Sequence, residues 1–208
     1  MAEPTDRAEL REVVRGNLER FGRERRAAAD PLRRAAVAIV LAPDDGEICY
    51  LFTQRSWELR RGAGQYALPG GSLDDGETAA DAARRELREE LGVDLDAASV
   101  LGLLDDIVTL TGFAMTPVVL WSDVAVEPVP DPAEVHAVWL VPVRELDHAD
   151  APRWTAGTDP DRPILRMPVR GEWINPPTAA ALYQFREVCL HGRTVRVDDV
   201  GHPEWTAR

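Results

Sequence analysis

The chain changes its hydrophobic period several times, and the changes mark out its elements. Leu10, Val13, Val14, Leu18 and Phe21 recur at helical spacing, which predicts an amphipathic helix over residues 5–28. Residues 35–41 and 48–53 are short apolar runs on either side of Asp44-Asp45-Gly46, and together they predict a hairpin. Residues 66–68 lead into a turn at Pro69-Gly70-Gly71. Further strands are predicted over 100–104, 107–110, 114–121, 134–141 and 164–169, with a helical turn at 143–146. Residues 147–163 read as irregular, Arg170-Gly171 as a turn, and 178–190 as a helix opened by Pro177 and stopped near Gly192. Strands interleaved with helices predict a layered α/β domain.

One helix is specified more tightly than the rest. Thr78 is placed to cap it, and Asp81, three residues on, suits both a capping box and the helix dipole. Ala79, Ala80, Ala82, Ala83, Leu87 and Leu91 favour helix, and Ala80, Ala83, Leu87 and Leu91 fall near one side that can face a core. Gly92 suits the left-handed position just past the end. Glu86, Glu89 and Glu90 then stand at i, i+3 and i+4, so three carboxylates share one face. Clustered anions repel one another, and a hard divalent cation, Mg²⁺ or Mn²⁺, turns that repulsion into oxygen ligation. The other reading of the same residues is a solvated acidic face.

Composition narrows the partners. The chain has 208 residues, 45% of them hydrophobic, enough for one large domain or one domain with extensions; the expected division is a helical extension over 1–30 and the main domain over 31–208. A net charge of −12 disfavours nucleic acid and anionic membranes as partners, whereas a phosphorylated small molecule remains open because metal ions supply local positive charge. Every basic side chain is arginine, which excludes lysine Schiff-base and P-loop chemistry. Cys49 and Cys189 lie in apolar runs and read as packed thiols. His136, His148, His191 and His202 have no ligand spacing. No run approaches the ~18 apolar residues of a membrane span, and the acidic N-terminal segment does not resemble a signal peptide, so the expected location is cytoplasmic. The apolar face of the N-terminal helix can pack within the chain or support a homodimer.

Residues 71–93, GSLDDGETAADAARRELREELGV, resemble the Nudix box without departure: Gly71, Glu77, Arg85-Glu86-Leu87, Glu89-Glu90 and Gly92-Val93. The resemblance implies a Nudix-like α/β/α sandwich with a mixed β-sheet, here with an added N-terminal helix. It implies a hydrolase that cleaves a nucleoside diphosphate linked to another group, with Glu86, Glu89 and Glu90 as metal ligands. Within the box, Gly71, Glu77, Arg85 and Gly92 take structural roles, Arg85 and Glu77 as an ion pair. Family members differ in their general base. Glu86 and Glu134 are the candidates here, Glu134 lying in a Pro-rich loop ahead of a strand, where an ordinary surface carboxylate is the alternative. A non-catalytic binding module of the same fold is disfavoured because every box glutamate is present.

The segment before the box is similar to the coenzyme A diphosphatase branch of the family. Leu51-Phe52-Thr53-Gln54-Arg55-Ser56, then Leu59-Arg60, Gly64-Gln65 and Pro69-Gly70-Gly71, carry that likeness, as do Thr111-Gly112-Phe113 and Thr116-Pro117-Val118-Val119. Leu68 stands where the branch usually has Phe, and Gly62 where it has His. Trp173-Ile174-Asn175-Pro176-Pro177-Thr178-Ala179 matches the branch's C-terminal Trp-Gly-x-Thr-Ala only loosely. The resemblance implies coenzyme A or an acyl derivative as substrate, with ADP-ribose, NADH, nucleotide sugars and dNTPs as alternatives. Arg55, Arg60 and Arg61 are candidates to bind a 3′-phosphate, since guanidinium forks match phosphate oxygens; they are also compatible with ordinary surface positions. Trp57 and Trp121 are the tryptophans nearest these motifs, and core packing is the commoner role for each.

Overall fold

A computed structural model describes residues 7–25, 32–157, 159–201 and 203. Its centre is strand β1 (Arg33–Asp44), whose residues 36–41 pack between two layers of helix. β1 pairs antiparallel with β2 (Glu47–Arg55) and, after the short β3 (Tyr66–Ala67), with β4 (Gly70–Ser72). On its other edge it runs parallel to β7 (Phe113–Trp121), and β5 (Val100–Leu103) and β6 (Ile107–Val108) pair with β7. β8 (Val135–Pro142) closes the sheet on β2. The result is a mixed eight-stranded sheet.

Alternation along β1 separates the two faces. Ala36, Ala38 and Val40 point to α2 (Ala79–Leu91), where they meet Ala82, Ala83, Leu87 and Leu91. Ile39 and Leu41 point the other way, to α1 (Arg7–Phe21) and α3 (Thr178–Phe185). Because both faces are covered, β1 reads as a near-continuous apolar run. This is the expected α/β/α sandwich with an N-terminal helix.

Several boundaries differ from expectation. The first helix ends at Phe21, because Gly22 adopts φ +60, so residues 22–25 are not helical; residues 5, 6 and 26–28 of the expected helix lie outside the described residues. Along α2 the core face is Ala82, Ala83, Leu87, Glu90 and Leu91, with Ala80 only partly buried, so the apolar stripe is rotated and takes a carboxylate with it. The expected irregular stretch 147–163 contains β9 (Arg153–Thr155), which joins β10 (Ile164–Val169) and β11 (Glu172–Ile174) in a small antiparallel sheet. Leu165, Met167 and Val169 of β10 alternate inward onto the α3 core. The last helix is α-helical only to Phe185 and then widens into a π turn over Arg186–Leu190.

Val14, Leu18 and Phe21 of α1 join the same apolar cluster as β1 and α3. Asn17 Nδ2 donates to Cys189 O at 2.8 Å, and Arg23 Nε to Leu104 O at 2.6 Å. The helix face that offered a dimer surface is therefore covered within the chain. Cys49 and Cys189 are both buried, free thiols. Among the described residues no helix is long and apolar enough to cross a membrane.

Candidate active site

The site is assembled where β4, α2 and the loop before β8 meet. The box helix starts as its sequence dictates: Asp81 N donates to the Thr78 hydroxyl at 3.2 Å, and Gly92 ends the helix at φ 65, donating to Arg88 O at 2.9 Å. The polar ridge of α2 then faces Gly70-Gly71 of β4. Gly70 N donates to Glu90 Oε2 at 3.0 Å. Gly71 carries no side chain where one would collide: a Cβ there would lie 2.3 Å from Glu86 Oε1.

The Pro-rich loop reaches back to the end of α2. Val129 N donates to Leu91 O at 2.7 Å and Asp131 N to Glu90 O at 2.8 Å. These bonds carry Glu134 to the helix, and Ser56 N donating to Glu134 O at 2.8 Å ties the same point to β2. Carboxylate oxygens of Glu86, Glu90 and Glu134 thus lie within 4.8 Å of one another. Glu90 is 4% exposed. Burial, with Glu86 and Glu134 adding repulsion, pushes its carboxyl up to about 8, against the opposing pull of the Gly70 amide and Arg55. Burial also raises Glu86, although Arg85 pulls it down. Such a group of carboxylates is unfavourable without a cation, and its hard oxygen donors fit Mg²⁺ or Mn²⁺.

Glu89 sits apart from that trio. Its carboxylate accepts from Arg85 Nη1 at 3.0 Å and is about half exposed. Arg85 is the hub of the ridge. The same Nη1 donates to Glu86 at 2.8 Å, Nε to Glu77 at 3.0 Å, and Nη2 to Ser72 O at 2.9 Å. The Arg85 hydrogen bond holds the Glu77 carboxyl below its ordinary range, and Glu77 in turn raises the guanidinium. Glu77 Oε2 also accepts from Asp74 N at 2.9 Å, closing the acidic loop. Glu77 and Arg85 thus form the expected pair.

A cavity of about 290 Å³ opens beside Gly70 and Gly71. Arg55 and Arg61 line it and Arg60 does not, although Arg60 and Arg61 are both exposed. Trp121 is buried in the core; Trp57 is 64% exposed, its ring packed so close to Gly64 that a Cβ there would come within 2.2 Å. His136 meets only the edge of Trp57, His191 bonds Asp147 at 2.8 Å, and His202 lies outside the described residues. The sequence offered no reason to place Thr109, Thr111 and Thr178 in the cavity wall, because they arrive from the β6–β7 turn and the start of α3. Only the Thr-Gly-Phe and Thr-Ala resemblances hinted at them.

The chain is 40% identical over 121 residues to an uncharacterized Nudix hydrolase, NudL, of Escherichia coli K12, and equally so to NudL of Escherichia fergusonii. Each match covers 56% of this chain and 60% of the relative's length. A solved Nudix hydrolase from M. smegmatis, RenU, shares the fold with a TM-score of 0.50 at 22% identity, over 79% of this chain and 89% of that one. The family model for the NUDIX domain matches residues 32–161, the stretch that contributes the sheet, the box helix and the glutamate trio, and the chain therefore belongs to the Nudix family.

Proposed function

We propose that this chain is a metal-dependent pyrophosphohydrolase that cleaves the diphosphate bond of a nucleoside diphosphate-X compound, with coenzyme A or acyl-coenzyme A as its substrate. The convergence of Glu86, Glu90 and Glu134 beside the glycine strand carries the reading of the reaction. Nudix hydrolases generally use divalent metals and bind nucleotide-type substrates. Glu86 and Glu90, with Glu89 at the exposed edge of the ridge, are the residues that would hold Mg²⁺ or Mn²⁺, and Glu134 faces them. When bound, the ion supplies charge neutralisation for the diphosphate and acidifies a water.

The side chains divide the remaining work. Gly70 N–H fixes the Glu90 carboxylate, and Arg85 fixes Glu86 from the other side. Glu134 is exposed and within reach of both, so its carboxylate is placed to take the proton of an attacking water. Arg55, whose charge already lowers Glu90, faces the cavity where negative charge gathers on the substrate. Arg55 and Arg61 line one cavity, which supports a 3′-phosphorylated nucleotide over one that lacks that group. Water attack breaks a P–O–P bond, giving 3′,5′-ADP and 4′-phosphopantetheine from coenzyme A.

The test is an assay with Mg²⁺ or Mn²⁺ against coenzyme A, ADP-ribose, NADH and dNTPs, with products identified by mass. Release of 3′,5′-ADP is the expected result, lost on chelation. Brisk cleavage of another compound with coenzyme A untouched would refute the substrate, and turnover that survives chelation would refute the metal.

A further inference from the structure

Asp105 and Asp106 are buried side by side in the connection between β5 and β6, away from the glutamate trio. They turn to different partners. Asp105 accepts from Gln184 Nε2 of α3 at 2.7 Å and from Arg196 Nη1 at 2.9 Å. Asp106 accepts from Arg34 Nη1 of β1 at 3.2 Å and from the Thr116 hydroxyl of β7 at 2.6 Å. Its third donor comes from outside the sheet: Arg23 Nη2, at 2.5 Å.

Arg23 lies just past the end of α1, and its fork grips the connection at two points. Nη2 holds Asp106, while Nε donates to Leu104 O. The next residue brackets the same place, Glu24 N donating to Asp105 Oδ1 at 2.7 Å and Glu24 O accepting from Asp106 N at 3.4 Å. The Arg23 side chain is 18% exposed and that of Asp106 2%. A buried pair of this kind adds little net stability over apolar packing of the same shape, but a planar fork with two directed bonds fixes a geometry.

What it fixes is the root of a cavity wall. β6 is only two residues long, and it pairs with β7, Ile107 with Met115 and Val108 with Ala114. So short a strand has too few bonds of its own to set its position. The turn that follows it carries Thr109, Leu110 and Thr111 into the wall of the glycine-strand cavity. Arg33 holds the tip of that turn, its Nη2 donating to Thr111 O at 3.1 Å and its guanidinium lying 4.0 Å over the Phe113 ring. Asp106 holds the base. Two of its partners also adjoin the wall, since Arg34 precedes Ala35 and Thr116 follows Met115.

We infer that Arg23 is a positioning residue for substrate binding: through Asp106 it sets the β6–β7 turn against β1 and β7, so the segment after the N-terminal helix shapes a cavity that it does not line. The glutamate trio is carried by other elements, α2 and the loop before β8. Loss of Arg23 therefore acts on binding and spares the chemical step. The inference rests on the proposed function only in taking that cavity to hold the substrate.

The full chain is compared with Arg23→Gln, Arg23→Lys and Val14→Ala. Glutamine removes the charge and the fork; lysine keeps the charge. Val14→Ala loosens the same helix from the core without touching Asp106. Steady-state kinetics are run on whichever of coenzyme A, ADP-ribose, NADH and dNTPs the parent cleaves, and amide hydrogen exchange is followed by mass spectrometry in residues 107–113 and in α2. Arg23→Gln is expected to raise KM roughly 3- to 10-fold, the cost of ordering one or two loosened side chains on binding, with kcat within about twofold. Arg23→Lys should fall between it and the parent, and decides the matter alone if the glutamine variant does not fold. Exchange should quicken in residues 107–113 and stay unchanged in α2. Val14→Ala should leave KM at the parent value, because partial unfolding lowers the active fraction and hence the apparent kcat. An unchanged KM in the folded Arg23 variants, an equal rise in Val14→Ala, or exchange that quickens equally in α2 would overturn the inference. The expected KM pattern on a compound other than coenzyme A would uphold it and refute the proposed substrate; no turnover of any compound would refute both.

Discussion

Gly71 and Glu86 are mutually exclusive claims on one small volume: the carboxylate of Glu86 occupies the space in which any side chain at position 71 would begin, 2.3 Å from its Cβ. The carboxylate cannot swing freely aside, because Arg85 Nη1 holds it at 2.8 Å. Gly71→Ala is therefore expected to displace Glu86 while sparing the fold, with kcat falling by at least ~10-fold and the melting temperature by only a few degrees. Gly70→Ala makes the contrast. There the added Cβ meets backbone, 2.2 Å from Ala36 O, at φ +153, so the β4–β1 pairing itself must yield. A loss of about 2 kcal/mol or more in chemical denaturation is expected for Gly70→Ala. Equal stability losses in the two variants would contradict this division.

Glu90 lies at the most buried point of the trio, and stability and function there pull in opposite directions. Its folded-state carboxyl is raised to about 8 from an ordinary 4.5. A raised value lends stability that is complete below about 4.5 and fades as pH climbs through about 8. Under chelation, Glu90→Gln should remove that decline and exceed the parent's stability at pH 8, by on the order of 1–3 kcal/mol. With Mn²⁺ added the order should reverse, since only the parent gains a bound ion. Activity should vanish in the same variant. Thermal melts across pH 5–9 with and without Mn²⁺ check all three statements, and near-normal turnover by Glu90→Gln would remove Glu90 from the site.

Arg85 bonds four different oxygen-bearing partners, Ser72, Glu77, Glu86 and Glu89. A lysine offers one point charge in place of a planar fork and cannot serve all four. Arg85→Lys should lower stability by about 1–2 kcal/mol and turnover by about tenfold, since Glu86 loses its orientation. The acid limb should change as well. Glu77 is held below its ordinary 4.5, so its contribution is present above that pH and disappears as pH falls. Arg85→Lys should flatten the stability profile on the acid side, measurable by melts between pH 3 and 6.

The sequence revealed what is local and missed what is assembled from afar. Thr78, Gly92 and the i, i+3, i+4 glutamates follow from helix geometry alone, and α2 begins and ends where they require. The partition of three adjacent glutamates does not. Glu89 turns to Arg85, while Glu90 is drawn inward by Gly70, a strand residue twenty positions earlier. The pattern of α2 misled on Ala80 for the same reason: the core side of a helix is set by the sheet it packs on, and here that side includes Glu90. The cavity wall was least legible. Its threonines come from a turn beside β7 and from a helix start more than sixty residues later, and no periodicity connects them.

Arg60 and Arg61 are neighbours in the chain but differ in position, which makes them a direct test of the substrate. Both side chains are exposed, but Arg61 lines the cavity with Arg55 and Arg60 does not. If a 3′-phosphate occupies the arginine end, losing Arg61 removes a charge-assisted bond from the bound state, and losing Arg60 removes only a screened surface charge. Arg61→Ala is expected to raise KM for coenzyme A by about tenfold, the lower end of a charge-assisted bond, with kcat little changed; Arg60→Ala should stay within about twofold. Dephospho-coenzyme A separates phosphate recognition from general charge attraction, because it lacks only the 3′-phosphate. With that substrate the parent and Arg61→Ala should show the same KM. An Arg61→Ala defect of equal size on both substrates would mean that the arginine meets the diphosphate and not the 3′-phosphate, and the preference for coenzyme A would lose its structural support.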